Sequence, residues 1–184
     1  MQLTTERLVL RPWHEKDAPY LFVYARDPAV GPAAGWPPHR SVEESLDVIR
    51  HVLSGAQCYA ICEKGNGMPI GAIELKCGAN TGLTEREDEC ELGYWLGKPF
   101  WGRGYVPEAA GELIRYAFEA LGMTAIWCCS FEGNRKSQSV QKKLGFRYHH
   151  SCGEVPVPLL NETRAGRIAI LTKAQWRRSR ASAL

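Results

Sequence analysis

The stretch from Glu89 to Leu121 constrains the fold more than any other part of the 184-residue chain. Glu89 to Leu96 reads as a strand. Pro107 to Leu121 carries Ala110, Leu113, Ile114, Ala117, Phe118 and Leu121 on one helical face, with Gly122 as a stop. Between them lies only Gly97-Lys98-Pro99-Phe100-Trp101-Gly102-Arg103-Gly104-Tyr105-Val106. Gly102 and Gly104 let the backbone approach a ligand closely and take conformations that other residues avoid. The helix that follows begins with unpaired N–H groups and the positive end of its dipole. Strand, glycine turn and helix in that order make a site for an anion such as a pyrophosphate. Arg103 adds a fixed charge, and Pro107 suits the first helical turn, where its missing N–H costs nothing. A dinucleotide-binding doubly wound fold is a poor competitor. It needs a third glycine where this chain has Pro107, and an early parallel strand–helix–strand unit that this chain lacks.

The other elements build outward from that unit. Arg7 to Trp13 reads as a first strand and Glu15 to Arg26 as a helix. Asp27 to Arg40 holds four prolines and two glycines, a density that predicts a long loop without regular structure. Ser41-Val42-Glu43-Glu44 is a capping box opening a helix that Gly55 ends. Cys58 to Glu63 and Ile70 to Cys77 read as strands joined through Lys64-Gly65-Asn66-Gly67. Beyond Gly122 the expectation is a strand at Thr124 to Ser130, a helix at Arg135 to Leu144, and strands at Phe146 to Cys152 and Arg167 to Thr172. This order predicts one α/β (α+β) domain over residues 1–184, a mixed, mostly antiparallel sheet of about seven strands with about four helices on its faces. Lys173 to Leu184 reads as a basic, solvated and partly disordered tail.

Composition narrows the function. The net charge of +3, from 23 basic and 20 acidic residues, is too small to argue for a nucleic-acid or membrane partner. No apolar run approaches the roughly 20 residues of a membrane span, and the first residues lack a signal-peptide layout, so the expected location is cytoplasmic. The seven cysteines are scattered, mostly within strand-like apolar stretches, as expected of buried thiols in a reducing compartment. Cys58 and Cys62 have a metal-like spacing but no second ligand pair, so no metal is expected.

Four motifs in consistent order carry a family resemblance: Thr5-Glu6-Arg7-Leu8-Val9-Leu10-Arg11, then Glu91-Leu92-Gly93-Tyr94-Trp95-Leu96 leading into the glycine loop, then Asn134-Arg135-Lys136-Ser137, and Leu144-Gly145-Phe146. From about Leu3 to Thr172 the chain resembles the GNAT superfamily, and within it the ribosomal-protein N-terminal (Rim-type) acetyltransferases. The resemblance implies an acetyl-CoA site. The amides of Trp101, Gly102, Arg103, Gly104 and Tyr105 would bind the pyrophosphate. The strand ending at Trp95 and Leu96 would splay from its neighbour and grip the pantetheine arm, with Asn134 on the other side. Where the superfamily often has Gln or Arg, this chain has Pro99, so one phosphate contact is expected to be missing.

Acyl transfer from a thioester to an amine needs a neutral nucleophile, a polarised carbonyl and a protonated leaving thiol. Glu91 matches by position the glutamate that is the base in the histone-acetylating branch; the alternative is a carboxylate that fixes a loop, and Glu74 is a weaker candidate. The resemblance makes Ser137 the donor to the departing thiolate, a role compatible with capping by Asn134 three residues earlier. Tyr105 and Tyr94 are alternative hydroxyls. Trp36 and His39, in the proline-rich segment, are the candidates for the acceptor side, His39 also reading as a plain solvated loop residue. The expected partner is an amine substrate, a peptide N-terminus or a small molecule such as an amino acid, polyamine or antibiotic. Neither a membrane nor direct nucleic-acid contact is expected, and the protein is expected to be a monomer or homodimer. A non-catalytic acetyl-CoA-binding module is the rival from another class; retention of Glu91 and Ser137 favours catalysis.

Overall fold

Leu8 and Leu10 are fully buried while Val9 and Arg11 are partly exposed, the alternation of a strand with one face in the core. This strand, β2 (Leu8–Arg11), follows a two-residue strand, β1 (Leu3–Thr4), and pairs antiparallel with it, Leu3 facing Leu10. The structure, a computed structural model, describes residues 1–78 and 81–181. Among these residues it forms a mixed sheet of eight strands with six α-helices. The chain divides into two compact units, residues 1–74, 94–112 and 157–161 in the first and 75–93, 113–156 and 162–184 in the second.

In the first unit the strands lie in hydrogen-bonded order β1-β2-β3-β4, with β3 at Cys58–Glu63 and β4 at Pro69–Cys77. Antiparallel pairing sets Leu8 against Glu63 and Cys58 against Glu74. Five of the six β3 residues are buried in succession, so this strand is covered on both faces. Helix α1 (Ala18–Ala25) supplies Ala18, Leu21 and Ala25 to a cluster with Trp13, Ile49, Leu53, Cys58, Ala60, Cys62 and Ala72. Fully burying a side chain such as Leu21 contributes about 1.5–3 kcal/mol.

The proline-rich segment corrects the expectation of a wholly irregular loop. Its breakers lie at the two ends of a short helix, α2 (Gly31–Ala34), with Pro32 in the first turn and Gly35 closing it at φ 93°. The next helix, α3 (Val42–His51), is capped by Ser41, whose Oγ accepts the Glu44 N–H at 3.1 Å. The expected reciprocal bond is displaced by one residue. Glu44 reaches back to the Arg40 N–H at 2.7 Å rather than to that of Ser41.

Strand β5 (Glu89–Leu96) and helix α4 (Tyr105–Glu119) each run through both units. In the second unit, β6 (Ala125–Phe131) pairs antiparallel with β8 (Glu162–Thr172) from Ala125–Thr172 to Phe131–Gly166, and β7 (Arg147–Val157) lies beyond β8. Leu113, Ile114, Ala117, Phe118, Ile126, Cys128, Ile168 and Leu171 are buried there. Helix α5 (Arg135–Lys143) ends before Gly145, which takes φ 87°. The basic tail is also corrected, because Lys173–Ala181 folds as helix α6 with Trp176 packed 5.3 Å from Phe118. The eighth strand is β1, and the additional helices are α2 and α6. No helix among the described residues is long and apolar enough to cross a membrane.

One buried charge pair braces the first unit. Asp17, with a side chain 4% exposed, receives both Arg11 Nη1 at 2.6 Å and Nη2 at 2.9 Å, and the His14 N–H at 2.9 Å. Burial acts to raise the Asp17 pKa, but the bonds from Arg11 and His14 outweigh it and hold it below 3.8. The stabilisation is therefore present above the ordinary carboxylate range and lost as pH falls through the depressed value. Replacing Arg11 with Met leaves Asp17 buried and unpaired and should lower stability by about 3–5 kcal/mol in denaturant unfolding at neutral pH.

Candidate functional site

The end of β5 lies against β4 with no room for a side chain. A Cβ on Gly71 would collide with the Trp95 carbonyl, and the Gly97 N–H donates to the Ile70 carbonyl at 2.8 Å. The chain then makes a 3-10 turn at Lys98–Phe100, which includes Pro99, and the Trp101 indole N–H closes it on the Leu96 carbonyl at 2.7 Å. Gly102 and Gly104 take φ 78° and 79°, the left-handed region where any other residue is strained. The Trp101 N–H is used by the Lys98 carbonyl at 3.2 Å. Among the described residues, no backbone carbonyl accepts the N–H groups of Gly102, Arg103, Gly104 or Tyr105. Four donors therefore stand at the head of the 15-residue α4, where the dipole favours an anion. The Arg103 guanidinium lies 5.7 Å over the Phe100 ring.

The sequence reading missed what holds this turn from outside. Arg7 Nη1 donates to the Arg103 carbonyl at 3.0 Å, and Nε pairs with Glu108 at 2.6 Å. Glu108 Oε1 also accepts from Thr5 Oγ1 at 2.6 Å and the Arg7 N–H at 2.8 Å. Burial acts to raise the Glu108 pKa, yet these bonds hold it below the usual glutamate value. The Tyr105 hydroxyl donates to Glu63 Oε1 at 2.7 Å, which pushes its own ionisation above 10. The signal was available in Glu108 itself, a carboxylate in the first turn of a helix read as an anion site.

On the expected acceptor side, Trp36 packs edge-on against Trp95 at 5.7 Å and lies 5.3 Å from the His39 ring. His39 is not a plain solvated loop residue. Its Nδ1 sits 2.8 Å from Ser45 Oγ, and its N–H donates to the Ala25 carbonyl. Ser45 is fully buried and donates its one hydroxyl proton to the Ser41 carbonyl at 3.2 Å. The 2.8 Å contact admits either direction of donation; the one in which Ser45 keeps its bond to the Ser41 carbonyl puts the ring proton on Nδ1 and leaves Nε2 as the basic nitrogen.

The remaining candidates lie in the second unit. The parallel ladder of β5 with β6 pairs Glu89 with Ala125, Cys90 with Ile126 and Glu91 with Trp127, while both strands continue past that last pair. Glu91 stands at this end point with a side chain 15% exposed. Its carboxylate accepts from Thr81 Oγ1 at 3.1 Å and lies 3.7 Å from Lys76 Nζ. Asn134 caps α5, its Oδ1 accepting the Ser137 N–H at 3.1 Å, and Gln141 Nε2 reaches Ser137 Oγ at 3.5 Å. Burial pushes the Cys62 and Cys129 thiols up to about 11, which removes their nucleophilic form at neutral pH. The seven cysteines are free, and no cluster of three or more metal-ligating side chains occurs among the described residues.

A family model described as an acetyltransferase (GNAT) domain matches residues 7–147. The chain is 32% identical over 150 residues to the uncharacterized N-acetyltransferase p20 of Bacillus licheniformis, covering 79% of this chain and 82% of that one. It is 41% identical over 64 residues, 35% of each chain, to YdaF of Bacillus subtilis, named a candidate ribosomal N-acetyltransferase. The structure superposes with a TM-score of 0.74 on the microcin C7 self-immunity acetyltransferase MccE, solved with acetyl-CoA and AMP, at 18% identity, covering 91% of this chain and 93% of that one.

The His39 arrangement has a spectroscopic consequence. Burial lowers its pKa below 6.5, only partly offset by the charge of Glu44. The ring is therefore neutral at pH 7 and gains its proton only as pH falls through the lowered value, where the associated stability is lost. Nitrogen-15 NMR of the imidazole should show the Nδ1–H tautomer at pH 7 and a midpoint below 6.5. Ser45→Ala should mix the two tautomers.

Proposed function

The chain belongs to the GNAT family of acetyltransferases, and from that premise we propose that it carries the acetyl group of acetyl-CoA to an α-amine at a peptide or protein N-terminus, by direct attack in a ternary complex. One observation carries the cofactor assignment: the N–H groups of Gly102, Arg103, Gly104 and Tyr105 at the head of α4 have no backbone acceptor among the described residues. In this reading they take the pyrophosphate, with Arg103 adding charge. Trp101, its N–H already used, braces the turn through its indole. The backbone of Trp95 and Leu96 holds the pantetheine arm, with Asn134 as a second contact. The acetyl-CoA bound by MccE agrees with this choice of donor. The seven free thiols suit the reducing cytosol, where we place the reaction.

The amine nitrogen attacks the thioester carbonyl, forming the C–N bond, and the C–S bond breaks as the tetrahedral intermediate collapses. Glu91 takes the proton from the amine, directly or through water, and Ser137 gives one to the departing thiolate. Trp36 and His39 contact the acceptor. Proton availability favours the α-amine. Its pKa of about 7.7–8.0 leaves roughly a fifth neutral near pH 7.3, against about one part in a thousand for lysine at about 10.4. YdaF is named for ribosomal N-acetylation, which supports a protein acceptor over a small amine.

Acetyl-CoA consumption measured against N-terminal peptides, lysine peptides blocked at the N-terminus, and small amines tests the acceptor; turnover confined to the lysine peptides or to small amines would overturn this part of the reading. Gly102→Val and Gly104→Val should abolish acetyl-CoA binding in calorimetry while circular dichroism stays unchanged. Glu91→Gln should lower turnover by about 10²–10⁴-fold at an unchanged acetyl-CoA Kd, and Ser137→Ala by less.

A further inference from the structure

We propose that Arg7 is a positioning residue that holds the Arg103–Gly104 peptide so that its N–H faces a bound diphosphate. The proposal rests on the assignment of Gly102 to Tyr105 as the diphosphate loop. Arg7 stands just before β2, 96 residues away in sequence from the carbonyl it binds.

No cis peptide occurs among the described residues, and in a trans peptide the C=O and N–H point in opposite directions. With the Arg103 carbonyl held on Arg7 Nη1 at 3.0 Å, the Gly104 N–H is turned away from Arg7, to the free side of the turn. Gly102 and Gly104 both sit at positive φ, and glycine passes readily between such conformations and their alternatives. A 103–104 peptide with no outside partner could rotate and present an oxygen where a phosphate needs a donor. Arg7 opposes that rotation.

Two further contacts fix the guanidinium itself: Nε is paired with Glu108 at 2.6 Å, and the guanidinium carbon lies 4.5 Å over the Tyr105 ring. The Arg7 backbone N–H, donating to Glu108 at 2.8 Å, holds the main chain beside them. The pair also deals with an electrostatic conflict. Glu108 suits the helix dipole but repels an incoming diphosphate, and Arg7 beside it cancels that charge. Lysine cannot replace this geometry, because one ammonium lacks the fork that reaches a carboxylate and a carbonyl together.

The test compares Arg7→Ala and Arg7→Lys with the wild type, by calorimetry with acetyl-CoA and by ligand-observed NMR with S-acetylpantetheine, which lacks the diphosphate. Arg7→Lys, which keeps the charge, serves where Arg7→Ala does not fold. The expected result is an acetyl-CoA Kd about tenfold higher, with S-acetylpantetheine affinity unchanged. Addition of methylguanidine to Arg7→Ala should recover part of the lost affinity. Unchanged acetyl-CoA affinity in the variants, or an equal loss for both ligands, overturns the role of Arg7 alone. A wild-type protein that does not bind acetyl-CoA overturns the loop assignment beneath it.

Discussion

Where β5 ends against β4, the Trp95 carbonyl and Leu96 close directly over the bare backbone of Gly71. Gly71 has no space for a Cβ beneath the Trp95 carbonyl, and the Gly97 N–H is committed to the Ile70 carbonyl. These two glycines set the point at which the chain leaves the sheet, and the rest of the glycine turn follows from it. With Gly97 anchored, Trp101 can return its indole to Leu96, and at the two left-handed glycines that follow the amides of Gly102 to Tyr105 have no carbonyl partner among the described residues. A larger residue at position 71 would act on the loop without touching it, by displacing the strand that launches it.

The parts of this fold that were legible in the sequence are those whose signal is local. Strands β3 and β5 and helix α5 are apolar or capped runs bounded by glycines, and the structure places them within a residue of the expected limits. Short elements escaped. With two residues, β1 has no periodicity to read, and α2 hides because its proline and glycine sit at its ends rather than inside it. The Lys173–Ala181 helix was read as tail from its charge, while the contact that anchors it, Trp176 on Phe118, joins residues distant in sequence. At the site, the glycines announce themselves because φ is a property of single residues. The Arg7 contacts do not, since they span about a hundred positions.

Charge placement follows the same division. With a net charge of +3, no global field dominates, so each carboxylate near the core is handled locally. Asp17 is met by Arg11, Glu108 by Arg7 and Thr5, Glu63 by the Tyr105 hydroxyl, and Glu91 by Lys76 and Thr81. Pairing is not evidence against chemistry at Glu91. A carboxylate fixed by two partners offers its remaining lone pairs in a defined direction, which a general base requires.

The segment proposed to meet the acceptor and the turn proposed to hold the diphosphate share one support. Trp36 packs on Trp95, the residue whose carbonyl lies over Gly71, and Leu96 receives the Trp101 indole one position later. His39 continues the chain of contacts, its ring tilted against Trp36 and tied through Ser45 to the start of α3. The proline-rich segment is therefore built on β5 rather than suspended over it. Its sequence can vary in the residues that face outward while Trp36 stays anchored, so in the proposed reading acceptor preference changes without moving the glycine turn. The same sharing limits how far that change can go. Loss of the Trp36–Trp95 contact would loosen the last turn of β5, and with it the anchor from which the diphosphate loop begins.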